Sequence, residues 1–162
     1  MIVKVFRKSK NEILKLTFCL SSIWLYQRHH WSPNQKYLKR KDYGKIPHRH
    51  YTLHRELFNL QDPEKHVDHI NHDTYDNRLE NLRIGTKADN ARNSRKRKDS
   101  TSPYKGVQVR GKNKDIFRAY IYINKKRVLL GNYKTAEEAA LAYDNKAKTI
   151  HKEYACLNFP KY

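Results

Sequence analysis

The chain has 162 residues, of which 35 are Lys or Arg and 16 are Asp or Glu, giving a formal net charge of +19. So large a positive charge favours partners that carry dense negative charge, and nucleic acid is the first of these. Only two cysteines are present, which excludes a disulfide framework and a zinc site of four thiolates. A chain of this length can bury one ordinary hydrophobic core or two small ones.

The charge is unevenly distributed along the chain. Residues 1–50 carry 12 basic and 2 acidic side chains, residues 51–100 carry 10 and 9, and residues 101–162 carry 13 and 5. A protein that only neutralised phosphates would have little use for nine carboxylates in its middle region, whereas a metal site or ordinary helix capping would use them. The composition therefore directs the search for chemistry to the middle of the chain.

Residues 1–50 form a basic N-terminal segment in which we predict short strands and turns. Its apolar stretch at residues 16–26 follows several lysines and resembles a secretory signal in outline. The stretch is interrupted by Ser21 and Ser22, has no small-residue cleavage site and is too short to span a membrane. We therefore expect a cytoplasmic, non-secreted protein without a membrane partner. No chemistry is assigned to this segment.

Residues 51–60 are predicted to form a short amphipathic helix. Leu53, Leu57 and Leu60 stand at the i, i+4 and i+7 positions, which place apolar side chains on one helical face. A Gln-Asp-Pro sequence follows directly and would end the helix.

Residues 66–93 concentrate groups that bind metals or transfer protons. This stretch of 28 positions contains two Asp-containing clusters, three His and five Asn. One interpretation is a polar hairpin in which Asn71, His72 and Asp73 form the turn and His66 is simply solvated. For His66 and His72 taken alone, that interpretation is preferred.

The ordered set of residues within 51–94 resembles the HNH nuclease motif of homing endonucleases. The residues that carry the resemblance are Asp68-His69-Ile70-Asn71, Asp76-Asn77, Glu80-Asn81-Leu82-Arg83 and Asp89-Asn90. The resemblance implies a ββα-metal module, in which a two-stranded hairpin and a short helix surround one divalent cation. It also implies that Asp68 and Asn90 ligate this cation, and their hard oxygen atoms suit Mg²⁺ or Mn²⁺.

His69 is the general base that the resemblance implies, because an imidazole that is neutral at pH 7 can take a proton from water. Asn81 is expected to bridge backbone groups and so hold the loop that carries His69. Hydroxide attack on phosphorus, with the metal stabilising the departing 3′ oxygen, would leave 5′-phosphate and 3′-hydroxyl ends. Consecutive strand residues point to opposite faces, so Asp68 and His69 need a twist or bulge if both are to reach one phosphate.

Three local features complete the expectation for this module. Thr86 and Asp89 have the spacing of a capping box, so a helix should begin there and present Asn90. The family's Asn-Gly-Asp turn has His72 in place of its glycine, and His tolerates a positive φ less well than Gly. His54 belongs to a His-Arg pair that often precedes the motif in related nucleases, but we interpret it as a packing or capping residue.

Residues 95–102 are predicted to be a basic linker between two modules. Residues 93–102 contain no hydrophobic side chain and include four consecutive cations. After the linker, apolar residues alternate with polar ones in three runs, as in half-buried antiparallel strands. The apolar positions are Val107, Val109, Ala119, Ile121, Ile123, Val128 and Leu130. Thr135 and Glu138 then have the spacing of a capping box for a helix whose small-residue face would lie on the sheet.

Residues 103–160 resemble the plant ethylene-response-factor, or APETALA-type, DNA-binding domain. The likeness is carried by Tyr104-Lys105-Gly106-Val107, Leu130-Gly131, residues 135–140, Ala142-Tyr143-Asp144 and Leu157-Asn158-Phe159-Pro160. It implies that the exposed face of a three-stranded sheet lies in the DNA major groove. The positions expected to contact DNA are Gln108, Arg110, Arg118, Tyr120, Tyr122, Arg127 and Leu129, with Lys105 and Lys112 as phosphate contacts. The alternative is a basic face that is merely solvated.

The sequence as a whole predicts an α+β protein: an N-terminal HNH module at 51–94, a basic linker, and a C-terminal three-stranded antiparallel sheet packed on one helix at 103–160. Its predicted function is a metal-dependent DNA endonuclease of a mobile intron or intergenic element, with double-stranded DNA as partner and no obligate protein partner. One alternative is a non-catalytic DNA- or RNA-binding regulator in which the Asp, His and Asn cluster is vestigial. Another is a structure-specific repair or packaging nuclease.

Overall fold

The computed structural model describes residues 1–7, 12–34, 37–42, 49–111, 113 and 115–160. The chain divides into two compact units, Met1–Ala88 and Asp89–Tyr162. Both units combine helices with small antiparallel sheets. Within the described residues, no helix is long and apolar enough to cross a membrane.

The first unit consists of short strands and short helices. The strands are β1 (Ile2–Arg7), β2 (Glu12–Thr17), β3 (Ser32–Asn34), β4 (Tyr37–Asp42), β5 (Arg49–Thr52), β6 (Lys65–His69) and β7 (Leu82–Thr86). β1 pairs with β2, β4 lies between β3 and β5, and β6 pairs with β7, all antiparallel. The helices are α1 (Leu20–Arg28) and α2 (Leu53–Leu57), and α3 (Lys87–Asn93) begins where β7 ends.

The core of the first unit is built mainly from the N-terminal segment. Its buried hydrophobic side chains are Leu16, Phe18, Leu25, Trp31, Leu38 and Leu53. The apolar stretch at 16–26 supplies three of them, from the end of β2 to the middle of α1. The segment to which the sequence assigned no chemistry is thus part of the same compact unit as β6 and β7.

The helix predicted over residues 51–60 is shorter in the structure and begins later. α2 covers Leu53–Leu57, whereas the two residues before it belong to β5 and pair with β4. Their backbone groups take part in the sheet, so helical hydrogen bonding cannot begin until β5 ends. Arg55 then closes the turn after α2, because its guanidinium donates to the carbonyl oxygens of Asp62 and Lys65 at 2.7 and 2.6 Å.

The second unit is a three-stranded antiparallel sheet with a helix packed on one face. The strands are β8 (Val107–Arg110), β9 (Ile116–Ile123) and β10 (Lys126–Tyr133), and β9 is the central one. The helix α4 (Ala136–His151) begins at the predicted capping box, in which Thr135 and Glu138 exchange hydrogen bonds of 3.2 and 3.3 Å. Strands and a helix therefore occur where the sequence predicts them.

The small-residue face of α4 lies on the sheet. Its buried members are Ala139, Ala140, Tyr143 and Ala147, which pack with Val107, Ala119 and Ile121. Gly106 permits the close approach: its φ is +75°, and a Cβ at this position would lie 2.0 Å from the Tyr143 ring. Asp144 then ties down the chain after the helix, accepting hydrogen bonds from the backbone N–H groups of Asn158 and Phe159 at 2.9 and 2.8 Å.

The division between the two units falls within α3, between Ala88 and Asp89, whereas the sequence places the linker at residues 95–102. Residues 94–99 are all exposed, as a linker would be. The end of α3 is nevertheless fixed within the second unit, because Lys105 Nζ donates to the carbonyl oxygens of Arg92 and Ser94 at 2.6 and 2.5 Å. The module limits 51–94 and 103–160 stay predictions.

Candidate active site and nucleic-acid interface

His69 is the last residue of β6 and is only 5% exposed. Two aromatic side chains from other elements pack against its imidazole. The ring centroid of His54, on α2, is 5.2 Å away in an edge-to-face arrangement, and that of Tyr37, on β4, is 6.2 Å away. Tyr37 and His54 also contact each other, with centroids 4.9 Å apart. The three rings therefore form one cluster between β4, α2 and β6.

The protonation of His69 is controlled by burial and by a side-chain hydrogen bond to Asn77. Burial lowers the pKa of the His69 imidazole, because the charged form loses its hydration, while the hydrogen bond to Asn77 and the charge of Asp68 act in the opposite direction. The net effect is a pKa below the usual value. His69 is thus largely neutral at pH 7, which is the form that a general base requires.

Asp68 precedes His69 on β6 and is held by Arg83 from the facing strand. The two residues are register partners, and Arg83 Nε and Nη2 donate to Asp68 Oδ2 at 3.0 and 2.7 Å. Both side chains are mostly buried. Pairing between β6 and β7 is regular across all five residue pairs, so the bulge considered from the sequence does not occur. Asp68 and His69 instead meet different neighbours.

Asn81 joins the two ends of the loop that follows His69. Its side-chain oxygen accepts a hydrogen bond from the Asn71 backbone N–H at 3.0 Å, and its amide group donates to the Asp76 carbonyl oxygen at 2.8 Å. The side chain is buried. This is the bridging geometry expected from the sequence, and it fixes the path of residues 71–76 beside the active-site candidate.

Asp76 is the second residue whose side chain holds this loop through hydrogen bonds. Its carboxylate accepts hydrogen bonds from the Asn71 side chain at 2.8 Å and from Arg78 Nε and Nη2 at 2.9 and 2.8 Å. The hydrogen bonds from Arg78 hold the pKa of Asp76 below its usual value. At the turn itself, His72 has a φ of +65°, the conformation that glycine tolerates best.

The N-terminal segment braces the same loop from outside the hairpin. Thr17, at the end of β2, donates its backbone N–H to the Tyr75 carbonyl oxygen at 3.0 Å. Its own carbonyl oxygen accepts from the Asn77 N–H at 2.8 Å. Since Asn77 bonds to His69, residues far from the motif in sequence support the candidate base.

Asn90, the second metal ligand predicted from the sequence, lies on α3 and is half-buried. It falls in the second compact unit, whereas Asp68, His69 and Asn81 fall in the first. Among the described residues, no three His, Cys, Asp or Glu side chains come together as a metal-binding group. Asp68 offers a carboxylate oxygen and Asn90 an amide oxygen, which are ligand types that hard divalent cations accept.

His54, which the sequence analysis kept out of catalysis, lies at the active-site candidate. It is 7% exposed, and its Nε2 is 3.5 Å from the Thr52 hydroxyl. Burial, followed by repulsion from His69 and Arg55, lowers the pKa of His54 to about 3. It is therefore neutral at physiological pH, and its side chain contributes packing rather than charge.

The exposed face of the C-terminal sheet carries an ordered arginine. The Arg127 guanidinium lies 3.8 Å from the centroid of the Tyr120 ring, and its Nη2 donates to Gln108 Oε1 at 2.8 Å. These three residues come from β10, β9 and β8, so the contact crosses the whole sheet. Tyr122 stands edge-to-face to Tyr120, with centroids 5.9 Å apart.

Four more of the predicted contact residues lie on the same three strands. Tyr122 and Leu129 are 58% and 55% exposed, which is unusual for side chains of this size. Arg110 is exposed on β8, and Arg118 Nε donates to Asn132 Oδ1 at 3.1 Å. Lys112 lies outside the described residues.

Lys105, for which the sequence predicts a phosphate contact, forms hydrogen bonds within the protein, and the phosphate contact stays a prediction. Its ammonium is directed to the two carbonyl oxygens at the end of α3. Burial lowers the pKa of Lys105. The structure therefore gives this side chain a structural partner within the protein.

Four residues that the sequence analysis left without a role belong to the active-site candidate. They are Tyr37, Asn77, Asp76 and Arg83. Asp76, Asn77 and Arg83 belong to the residues that carry the HNH resemblance, so their place in the motif is a sequence signal for a role at this site. Tyr37 precedes the motif by about thirty residues, and no sequence pattern connects it with His69.

Comparison with known proteins bears on both units. Residues 40–92 match the family model described as HNH endonuclease. The chain is also similar to the dehydration-responsive element-binding protein 2E of Arabidopsis thaliana, with 56% identity over 36 residues that cover 22% of this chain and 15% of that relative. No solved structure matches the chain significantly. Residues 40–92, with Asp68, His69, Asn81 and Asn90 among them, thus match an HNH endonuclease domain.

Proposed function

We propose that this protein is a metal-dependent DNA endonuclease that hydrolyses phosphodiester bonds and leaves 5′-phosphate and 3′-hydroxyl ends. The observation that carries the proposal is His69: a buried imidazole, kept neutral by its surroundings, held by Asn77 and adjacent to Asp68 within the HNH match. A neutral histidine in a rigid setting is suited to proton abstraction. The net charge of +19 favours DNA as the substrate.

In the proposed mechanism, His69 accepts a proton from a water molecule, and the resulting hydroxide attacks phosphorus. The bond from phosphorus to the 3′ oxygen breaks, and that oxygen leaves with a proton from solvent. Asn81 keeps the loop after His69 in place through its bonds to residues 71 and 76. Asp68 and Asn90 would hold a divalent ion, for which Mg²⁺ or Mn²⁺ is suited, and this ion would stabilise negative charge on the phosphate.

The C-terminal sheet supplies DNA binding in this proposal. Arg127 is pre-positioned by Tyr120 and Gln108 on an exposed face, and a guanidinium in a fixed orientation is suited to bidentate recognition of guanine in the major groove. The match to a dehydration-responsive element-binding protein supports a DNA-binding module. A site-anchored nuclease of this kind is suited to a mobile intron or intergenic element, acting in the cytoplasm of a bacterial or phage-infected cell.

The second candidate is a non-catalytic DNA-binding regulator, which the similarity to an element-binding protein favours. Incubation with supercoiled plasmid, with and without Mg²⁺, separates the two candidates. The nuclease requires Mg²⁺-dependent nicks or breaks with 5′-phosphate ends. His69→Ala should lower the cleavage rate by about 10²–10⁴-fold, with DNA affinity nearly unchanged, because phosphate contacts elsewhere supply most of it.

His66→Ala is the matched control, since His66 lies on the same strand but has no role in the proposed chemistry. It should cleave at close to the wild-type rate. Full cleavage activity of the His69→Ala variant would contradict the proposed mechanism. A wild-type protein that binds DNA but never cuts it would leave the regulator as the function.

A further inference from the structure

The imidazole of His69 is enclosed by rings that come from two other elements. His54 approaches its edge from α2, with centroids 5.2 Å apart and an interplanar angle of 73°. Tyr37 approaches from β4, with centroids 6.2 Å apart and an angle of 28°. The two outer rings touch each other at 4.9 Å. His69 therefore packs against two rings that also contact each other.

A general base needs this kind of restraint. The outer torsion of a histidine side chain has broad energy minima, so one hydrogen bond to Asn77 does not by itself fix the tilt of the ring. A displacement of about 1 Å at a reacting group can lower a rate by about 10²-fold. Packing against two rings restrains this tilt in addition to the hydrogen bond.

We propose that His54 is a positioning residue for His69, and that His54 and Tyr37 together form an aromatic clamp that holds the His69 imidazole ready for proton abstraction. The clamp acts through ring packing. This inference rests on the proposed function, in which His69 is the base for DNA cleavage.

The surroundings of His54 support packing as its mode of action. It is buried, and its Nε2 lies 3.5 Å from the Thr52 hydroxyl, a distance at which a hydrogen bond is weak. Its pKa of about 3 keeps the side chain neutral near pH 7, so it is unsuited to exchanging protons with substrate under those conditions. Another flat aromatic side chain, such as that of Phe, should therefore be able to take the place of the His54 ring.

The test compares variants of the full chain. His54→Ala removes the ring and His54→Phe retains one; Tyr37→Leu and Tyr37→Phe form a second pair. Leu25→Ala is the control, because it removes a buried side chain from the core of the same unit. For each variant we would measure the single-turnover cleavage rate at saturating protein with Mg²⁺, the DNA affinity by gel shift, and folding by circular dichroism at the assay temperature.

The expected result is a loss of rate without a loss of binding. His54→Ala and Tyr37→Leu should cleave about 10–100-fold more slowly than wild type, with DNA affinity changed less than about twofold. His54→Phe and Tyr37→Phe should recover most of the rate. Leu25→Ala should be less stable yet retain the wild-type rate where it is folded. If His54→Ala is unfolded, the Tyr37 pair carries the same test.

Three results would overturn the clamp: a wild-type rate for folded His54→Ala, a His54→Phe rate as low as that of His54→Ala, or an equal loss of rate in Leu25→Ala. His69→Ala separates this failure from a failure of the proposed function. If His69→Ala is inactive while His54→Ala is fully active, the clamp alone is wrong. If His69→Ala cuts normally, both are wrong.

Discussion

His72 shows how one residue can depart from what its backbone position favours. Its φ of +65° places a Cβ-bearing side chain in the left-handed region, at a cost of about 1–2 kcal/mol that glycine avoids. The His69 carbonyl oxygen accepts a hydrogen bond from the His72 N–H at 3.0 Å, so the turn is held despite this cost. The sequence indicated backbone strain in this turn, because His72 stands where the HNH family has glycine. The positive φ in the turn is that of His72.

We predict that His72→Gly stabilises the protein. Relief of the backbone strain exceeds the greater conformational freedom that glycine gives the unfolded chain, leaving a net gain of about 0.5–1 kcal/mol. Urea denaturation followed by circular dichroism would measure it. Asp73→Gly is the control, since its side chain accepts the Tyr75 N–H at 3.0 Å, and this variant should lose stability. A lower free energy of unfolding for His72→Gly would contradict the prediction.

The Asp68–Arg83 pair is a mostly buried ion pair, so its loss should lower stability. Arg83→Met would leave a mostly buried carboxylate without its ion-pair partner, and breaking such a pair costs about 3–5 kcal/mol. The free energy of unfolding from urea titration should fall by this order. Arg97→Met is the comparison, because the Arg97–Asp99 pair is largely exposed and such pairs contribute about 0–1 kcal/mol. Equal effects in the two variants would rule out burial as the cause.

At the scale of elements, α2 brings a buried histidine into the core region, and this makes stability depend on pH. The unfolded chain protonates His54 below its ordinary pKa of about 6.5, whereas the folded chain does so only near pH 3. Between these values the unfolded state binds more protons, so stability rises with pH. The loss should therefore begin as pH falls below about 6.5 and end near pH 3.

We predict that the free energy of unfolding falls by about 1.4 kcal/mol per pH unit for each such proton as pH is lowered from 6 to 4.5. His69, whose pKa is also lowered by burial, acts in the same direction. Urea titrations at several pH values would give the slope. His54→Phe should have a smaller slope than wild type by one proton, and an unchanged slope would show that His54 is not the group responsible.

The C-terminal sheet gives a testable prediction about DNA binding. Arg127→Ala should weaken DNA binding by about 1–3 kcal/mol if this guanidinium contacts a base, and should relax sequence preference at that position. Gel-shift titration against the preferred site and its single-base variants would measure both. Lys148→Ala, an exposed change on α4, is the control and should bind nearly as wild type. If the Arg127→Ala variant bound DNA with wild-type affinity, the assignment of the exposed sheet face as the DNA-binding surface would be wrong.

At the scale of the whole molecule, the question is whether the two compact units work separately. The linker predicted at 95–102 is exposed over residues 95–99, but Lys105 bonds to carbonyl groups of residues 92 and 94. Hydrogen bonds to a charged group contribute about 1.5–3 kcal/mol. A fragment that retains these partners should therefore be more stable than one that begins after them.

We predict that residues 89–162 unfold at a higher urea concentration than residues 101–162, and that both bind duplex DNA with an affinity that falls steeply as salt rises. Residues 1–98 should nick DNA weakly with Mg²⁺ and lose site preference, because tethering raises the local concentration at an anchored site. Circular dichroism and end-mapping would test these statements. An unfolded 89–162 fragment, or site-specific cutting by 1–98 at the full rate, would contradict them.

Sequence patterns were sufficient wherever the determining interactions are local. Alternation of apolar residues placed β8, β9 and β10, and the Thr135–Glu138 spacing placed the start of α4, because strand periodicity and capping involve residues within a few positions of each other. The same is true of the hairpin around Asp68 and His69, whose ordered residues led to the HNH resemblance and to the match over 40–92. The later start of α2 escaped prediction, because pairing of residues 51 and 52 with β4 depends on a distant strand.

Only the tertiary structure decided what surrounds His69. Tyr37 and His54 reach it from β4 and α2, and Thr17 supports the loop that carries Asn77 from the end of β2. It also placed the Lys105 ammonium at the end of α3. The sequence had predicted a contact between this ammonium and a DNA phosphate. A sequence displays which chemical groups a chain possesses and how neighbours along the chain are arranged. Which groups share a buried space depends on how the strands and helices pack, and that packing minimises the exposed apolar surface of each whole unit rather than of any one segment.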